Sequence, residues 1–158
     1  MADEKPETYA IVAIDTSNDF SYLVCSVCEK PLHNPTFLCN FCNAKAFNTS
    51  SFGSKRLFRI LMSIASDTRV FKVICFDRAA KVLFGCSADE FFHFAKFHPF
   101  SAANANKILE GEMCRMTLAK PKNGNAQHLR VASVVPLSSG FQPVIQSLKE
   151  LYSACPST

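Results

Sequence analysis

Tryptophan is absent and glycine is scarce, five in 158 residues, and none of the glycines builds a phosphate-cradling loop. Neither G-x-S-x-G nor H-E-x-x-H occurs, so the motif-bearing nucleotide hydrolases, serine hydrolases and zinc proteases are excluded and no enzyme is expected. No apolar run approaches the ~20 residues that cross a bilayer as a helix. The opening Met1–Thr8 is acidic and polar with no apolar signal-like stretch, which leads to the expectation of a soluble chain in a reducing intracellular compartment, without a membrane partner. A net charge of +4 is too modest to indicate a partner by itself. Fifteen phenylalanines and three tyrosines, in a chain that is 48% hydrophobic, supply a full core, and most of those rings must be inside it.

The chain does have eight cysteines, four of them in the pattern C-x2-C-x10-C-x2-C: Cys25, Cys28, Cys39 and Cys42. Each C-x-x-C turn offers two sulfurs to one ion, and the connector of ten residues, Glu29–Leu38, is long enough to return the second pair. Its two prolines suit a turn between ribbon strands. The expectation is a structural Zn2+ held by four thiolates. Two disulfides and a redox pair are the competing readings, disfavoured because disulfide scaffolds are usually short secreted chains with little core. His33 lies between the pairs, but four cysteines already close the shell. Cys75, Cys86, Cys114 and Cys155 sit elsewhere and read as buried thiols.

Tyr9–Ile14 reads as a first strand, ending at the turn-forming run Asp15–Asp19. Leu57–Ile64 is ambiguous between helix and strand, but Val70–Phe76 is dense in strand formers, and the polar Asp67–Arg69 between them makes the pair a hairpin. Arg78–Phe84 has helical composition and stops at Gly85. Ser87-Ala-Asp-Glu90 is a capping box that opens a helix to about Phe97, with Pro99 beyond it, and Asn104–Glu110 is a shorter helical piece. Met113–Ala119 and Gln127–Val135 alternate, and Asn123-Gly124 between them favours a tight hairpin turn. Pro143–Ser153 places Val144, Ile145, Leu148, Leu151 and Tyr152 on one helical face. That face packs on its own domain or docks on partner helices, and sequence does not separate the two.

The succession predicts a mainly β, five-stranded OB-fold barrel over residues 1–158, with an inserted four-cysteine zinc ribbon at about 20–47 and a C-terminal amphipathic helix at about 143–153. OB folds bind oligonucleotides on the face of strands 2 and 3 and through the loops after strands 1 and 4.

From the ribbon onward the chain resembles the C-terminal OB domain of the replication protein A large subunit. Phe76, Ala80, Gly85, Ser87, Ala88 and Glu90 stand as in that family's F-x-x-x-A-x-x-x-x-G-x-S-A-x-E, and Leu109–Glu112, Asn123-Gly124 and Arg130–Leu137 extend the likeness over nearly the whole chain. The resemblance implies single-stranded DNA binding, a nuclear location, and assembly of the terminal helix with two smaller subunits. It departs at the turn after the second strand, where the family often has Trp or Tyr and the nearest ring here is Phe71. A paralogue working in telomere maintenance, meiosis or replication fits equally.

Single-strand binding needs rings for stacking and cations along the phosphate path. Phe37, Phe41 and Phe71 are the stacking candidates; their competing roles are shielding the ion for Phe41 and core packing for Phe71. Seven basic residues against two acidic ones lie between Lys55 and Lys81, a cluster that attracts phosphate or simply coats a solvated strand. Lys55, Arg56, Arg59, Arg69, Lys72, Lys120 and Lys122 are the phosphate candidates, whereas Arg78 and Lys81 can pair with carboxylates.

Overall fold

The computed structural model describes residues 5–32, 54–121 and 127–153. In chain order these form β1 (Glu7–Ile14), β2 (Ser21–Cys25), β3 (Ser54–Ala65), β4 (Val70–Phe76), α1 (Asp77–Phe84), α2 (Ala88–Phe97), α3 (Ser101–Leu109), β5 (Met113–Ala119), β6 (Leu129–Pro136) and α4 (Val144–Ser153). β1 pairs in both directions: Glu7–Ala10 with β5, then Ala10–Ile14 with β3, the register shifting between Ile11 and Ala13. β3 runs antiparallel to β4, β4 lies parallel to β6 through Val73↔Leu129 and Ile74↔Arg130, and β6 returns antiparallel to β5. The pairings therefore form a circuit, β1-β3-β4-β6-β5-β1, with β2 added on β3.

The five strands of the circuit follow the predicted succession. The three helical segments read between β4 and β5 are α1, α2 and α3, the last beginning at Ser101 rather than Asn104, and a sixth strand, β2, opens the cysteine segment. The ambiguous Leu57–Ile64 is strand, because its period of two buries Phe58, Ile60, Met62 and Ile64 while the alternate residues face outward. Tertiary burial decides where propensity does not. The turn at Asn123-Gly124 and the second cysteine pair lie outside the described residues.

Phenylalanine fills the core that lacks tryptophan. Phe58 and Phe84 sit 4.9 Å apart, Phe84 meets Phe91 edge-on at 5.1 Å, and Phe20 lies 5.8 Å from Phe84. Such pairs add about 0.5–1.5 kcal/mol beyond the area they bury. α1 starts directly from β4: one Asp77 carboxylate oxygen accepts from the Phe58 amide (3.0 Å) and the other meets Lys81 at 3.1 Å. Gly85 ends α1 in the left-handed region, its amide donating to the Lys81 carbonyl at 2.8 Å. Ser87 caps α2 by accepting from the Glu90 amide at 3.0 Å, as the capping box predicts, while the Glu90 carboxylate turns toward Lys149, 3.7 Å away. The G-x-S-A-x-E run is thus a helix-to-helix joint.

α4 settles on its own domain. Val144, Ile145 and Leu148 are buried in the core, and Tyr152 accepts from Asn104 (3.0 Å), donates to the Pro99 carbonyl and stacks beside His98. Of the five residues predicted as a partner-docking face, Leu151 alone is classed as exposed, at 46%. An amphipathic stripe shows that a helix buries one face, not whose core receives it.

Cys75, Cys86 and Cys114 are buried as predicted. Burial, with a smaller contribution from Cys114, pushes the Cys75 thiol from its usual value near 9 up to about 12. An unfolded chain ionises this thiol near 9 and the folded chain does not, so the stabilisation is complete below that pH and is lost as pH rises toward 12. The unfolding free energy from urea titrations is expected to fall above pH 9, by about 1.4 kcal/mol per pH unit from this group. A Cys75→Ala variant that falls equally steeply contradicts this assignment.

Candidate nucleic-acid interface

On β3 the residues that alternate with the core, Leu57, Arg59, Leu61 and Ser63, share the outer face. Register places β4 residues beside them on that same face: Phe76 opposite Arg59, Ile74 opposite Leu61, Lys72 opposite Ser63. On the other flank Tyr22 of β2 stands opposite Leu57. Burial, then the Asp77 charge, raises the Tyr22 phenol, with Arg59 opposing, so the ring lies within the field of the same groups. The result is a strip in which two rings, Tyr22 and Phe76, flank the exposed Arg59, followed by half-buried Leu61 and Ile74 and then the exposed Lys72.

The strip leads into a groove of about 410 Å³. Leu61 and Ile74 form its floor beside Arg59, Asp15, Asn18 and Asp19 supply one lining segment, and Gln127 and His128 another. The first wall is built by a local turn: Asp15 accepts from the Ser17 amide (3.0 Å) and hydroxyl (2.5 Å) and from the Asn18 side chain (3.1 Å), while its own amide donates to the Leu61 carbonyl at 2.8 Å. Those bonds, the Ser17 hydroxyl foremost, hold the Asp15 carboxyl below its usual range, helped slightly by Lys72. Arg130, register partner of Ile74, has its Nε enclosed with no hydrogen-bond partner among the described residues.

The predicted site residues divide among several places. Arg59 and Lys72 share the strip. Lys55, at the near end of β3, is paired with Glu29 at 2.5 Å. Arg56 points the other way: its guanidinium lies 3.5 Å over the Phe92 ring of α2 and donates to the Ser21 hydroxyl at 3.1 Å. Phe71 has the inward parity of Val73 and Cys75 and meets Tyr9 edge-on at 5.9 Å, with Arg69 4.1 Å above its ring. Arg69 and Phe71 line a separate cleft of about 700 Å³ between β1 and the β3–β4 turn. Lys120 is exposed just after β5, and Phe37, Phe41 and Lys122 lie outside the described residues. Tyr22, Leu61, Ile74, Phe76, Gln127, His128 and Arg130 were not predicted as site residues. Period two on β3, combined with the register of the hairpin, is the signal that marks the strand residues among them.

Cys25 and Cys28 occupy one tight reversal at the end of β2. The Glu29 amide donates to the Cys25 carbonyl and the Cys25 amide to the Lys30 carbonyl, both at 2.9 Å, and Val24 bridges Pro31. The Val27 amide donates to the Cys25 sulfur at 3.4 Å. Glu29 takes φ +63°, so the chain turns back immediately after Cys28. This half of the cysteine pattern fits a metal-binding knuckle; Cys39 and Cys42 lie outside the described residues.

No protein-family model matches the chain, and no curated protein matches it. Solved structures do. One is a chain of a replication protein A heterotrimer bound to single-stranded DNA, 18% identical with a TM-score of 0.66, the match covering 96% of this chain and 35% of that one. Another is yeast replication protein A bound to single-stranded DNA, 19% identical with a TM-score of 0.67, covering 98% of this chain and 88% of that one. The chain spans about a third of the first structure's chain and most of the second's. At such identity the likeness is one of fold: a mainly β, OB-like sheet with a C-terminal helix.

Proposed function

We propose that the chain is a zinc-stabilised OB module, similar to replication protein A, that binds single-stranded DNA along the outer face of β3 and β4. The observation that carries this reading is the strip itself, where rings and cations alternate on one exposed sheet face and run into a groove. Bases stack on Tyr22 and Phe76 and lie against Leu61 and Ile74, at about 1–3 kcal/mol per stacked base, while Arg59 and Lys72 take phosphates. The fold likeness to structures that hold single-stranded DNA supports it. Such a module belongs to nuclear DNA replication, repair, recombination or telomere maintenance.

Cys25, Cys28, Cys39 and Cys42 would hold the zinc. A four-thiolate site leaves no open position for a reacting water, so the ion supplies cross-linking and no catalysis. Cys25 ends the strand that carries Tyr22, so an ion held there would support one end of the strip.

The test is a titration of labelled single-stranded DNA, duplex DNA and RNA at two salt concentrations. Single-stranded DNA is expected to bind best, with affinity falling as salt rises, by a slope of about −0.7 per phosphate neutralised. Arg59→Glu combined with Lys72→Glu is expected to weaken binding at least tenfold and flatten that slope, with the melting temperature little changed because both side chains are exposed. No binding at low salt would sink the reading.

A further inference from the structure

We infer that the groove is a base pocket, and that Asp19 makes it prefer bases with an exocyclic amino group over thymine; this rests on the single-strand reading above. Its walls do not suit a phosphate. Asp15 and Asp19 line one wall, and the bonds from Ser17 and Asn18 favour the charged form of Asp15, so a phosphodiester set against that wall would meet like charge. The cations lie along the floor and strip instead, at Arg59 and Lys72. A strand that places its phosphates on those two turns its bases inward, toward Leu61 and Ile74.

There the volume of about 410 Å³ is in the range of small-ligand pockets, with an apolar floor for a ring face and polar walls for its edge. Asp15 has both oxygens committed to its own turn, which makes it the fixed part of the wall. Asp19 is exposed and on the same lining. A carboxylate accepts from the amino group of cytosine, adenine or guanine. Where cytosine carries its amino group thymine presents O4, which a carboxylate repels, and its one donor, N3–H, lies one ring position away. Gln127 and His128 supply further polar groups to the pocket.

The experiment is direct titration of the full chain with labelled oligo-dC and oligo-dT of equal length at low salt. Oligo-dC is expected to bind about tenfold more tightly. Asp19→Asn, whose amide can donate to a thymine carbonyl, is expected to bring the two within about twofold, chiefly by strengthening oligo-dT. A melting curve checks that the exposed substitution leaves the fold intact. Equal affinity of the unaltered chain for both oligonucleotides, or an unchanged preference in Asp19→Asn, overturns the pocket while leaving single-strand binding in place. Failure of both oligonucleotides to bind overturns the binding reading and the pocket with it.

Discussion

Gly85→Ala is expected to lower stability by about 2–5 kcal/mol, enough to threaten a domain of this size. Two costs combine. Gly85 sits at φ +72°, where a β-carbon costs about 1–2 kcal/mol. A β-carbon there would also stand 2.3 Å from the Pro143 β-carbon and 3.0 Å from its γ-carbon, ring atoms that cannot swing aside. Relief requires moving Pro143 and the start of α4, whose Val144, Ile145 and Leu148 fill the core, and overpacking of that kind costs about 1–3 kcal/mol. Gly111 provides the control: its φ is +87° but nothing lies within 4 Å of the added carbon. Gly111→Ala is therefore expected to cost only the conformational part. Urea midpoints of the two variants measure the difference, and equal losses would show that the close approach of Gly85 to Pro143 contributes nothing.

Loss of the proposed zinc is the second large effect expected. The chain purified under reducing conditions is expected to carry one zinc, and Cys25→Ser or Cys39→Ser to carry none. Structural zinc in small sites is worth about 10 kcal/mol or more of folding free energy, so the variants are expected to lose the cooperative melting of the region around β2. Tyr22 depends on that strand, and oligonucleotide affinity is expected to fall in parallel. Elemental analysis with melting curves tests the proposal, and a zinc-free unaltered chain or a zinc-loaded Cys25→Ser protein would refute it.

Much of the fold was legible because its signals are local. Strand alternation in Met113–Ala119, the Ser87 cap and the Gly85 stop are each written within a few residues, and each is found where expected. The interface was less legible because it depends on which residues face each other across strands. Arg59 and Arg56 are equivalent as members of a basic cluster, yet their offset of three puts them on opposite faces of β3. Phe71 and Phe76 are likewise similar in sequence terms, and parity sends the first toward Tyr9 and the second beside Arg59. Gln127 and His128 enter the groove only because β4 and β6 lie side by side. The fate of α4 was undecided for the same reason: its stripe was visible and its receiving surface was not.

β1 divides its two edges between β5 and β3, and this imposes an order on synthesis. A ribosome releases Glu7 long before its partner Met116, roughly a hundred residues on, a wait of about 5–20 s at ordinary elongation rates. During that interval the growing chain can form the local β3–β4 hairpin and the helices, but the first strand has an edge with no mate. The Glu7–Ala10 edge therefore stays unpaired until β5 has been made.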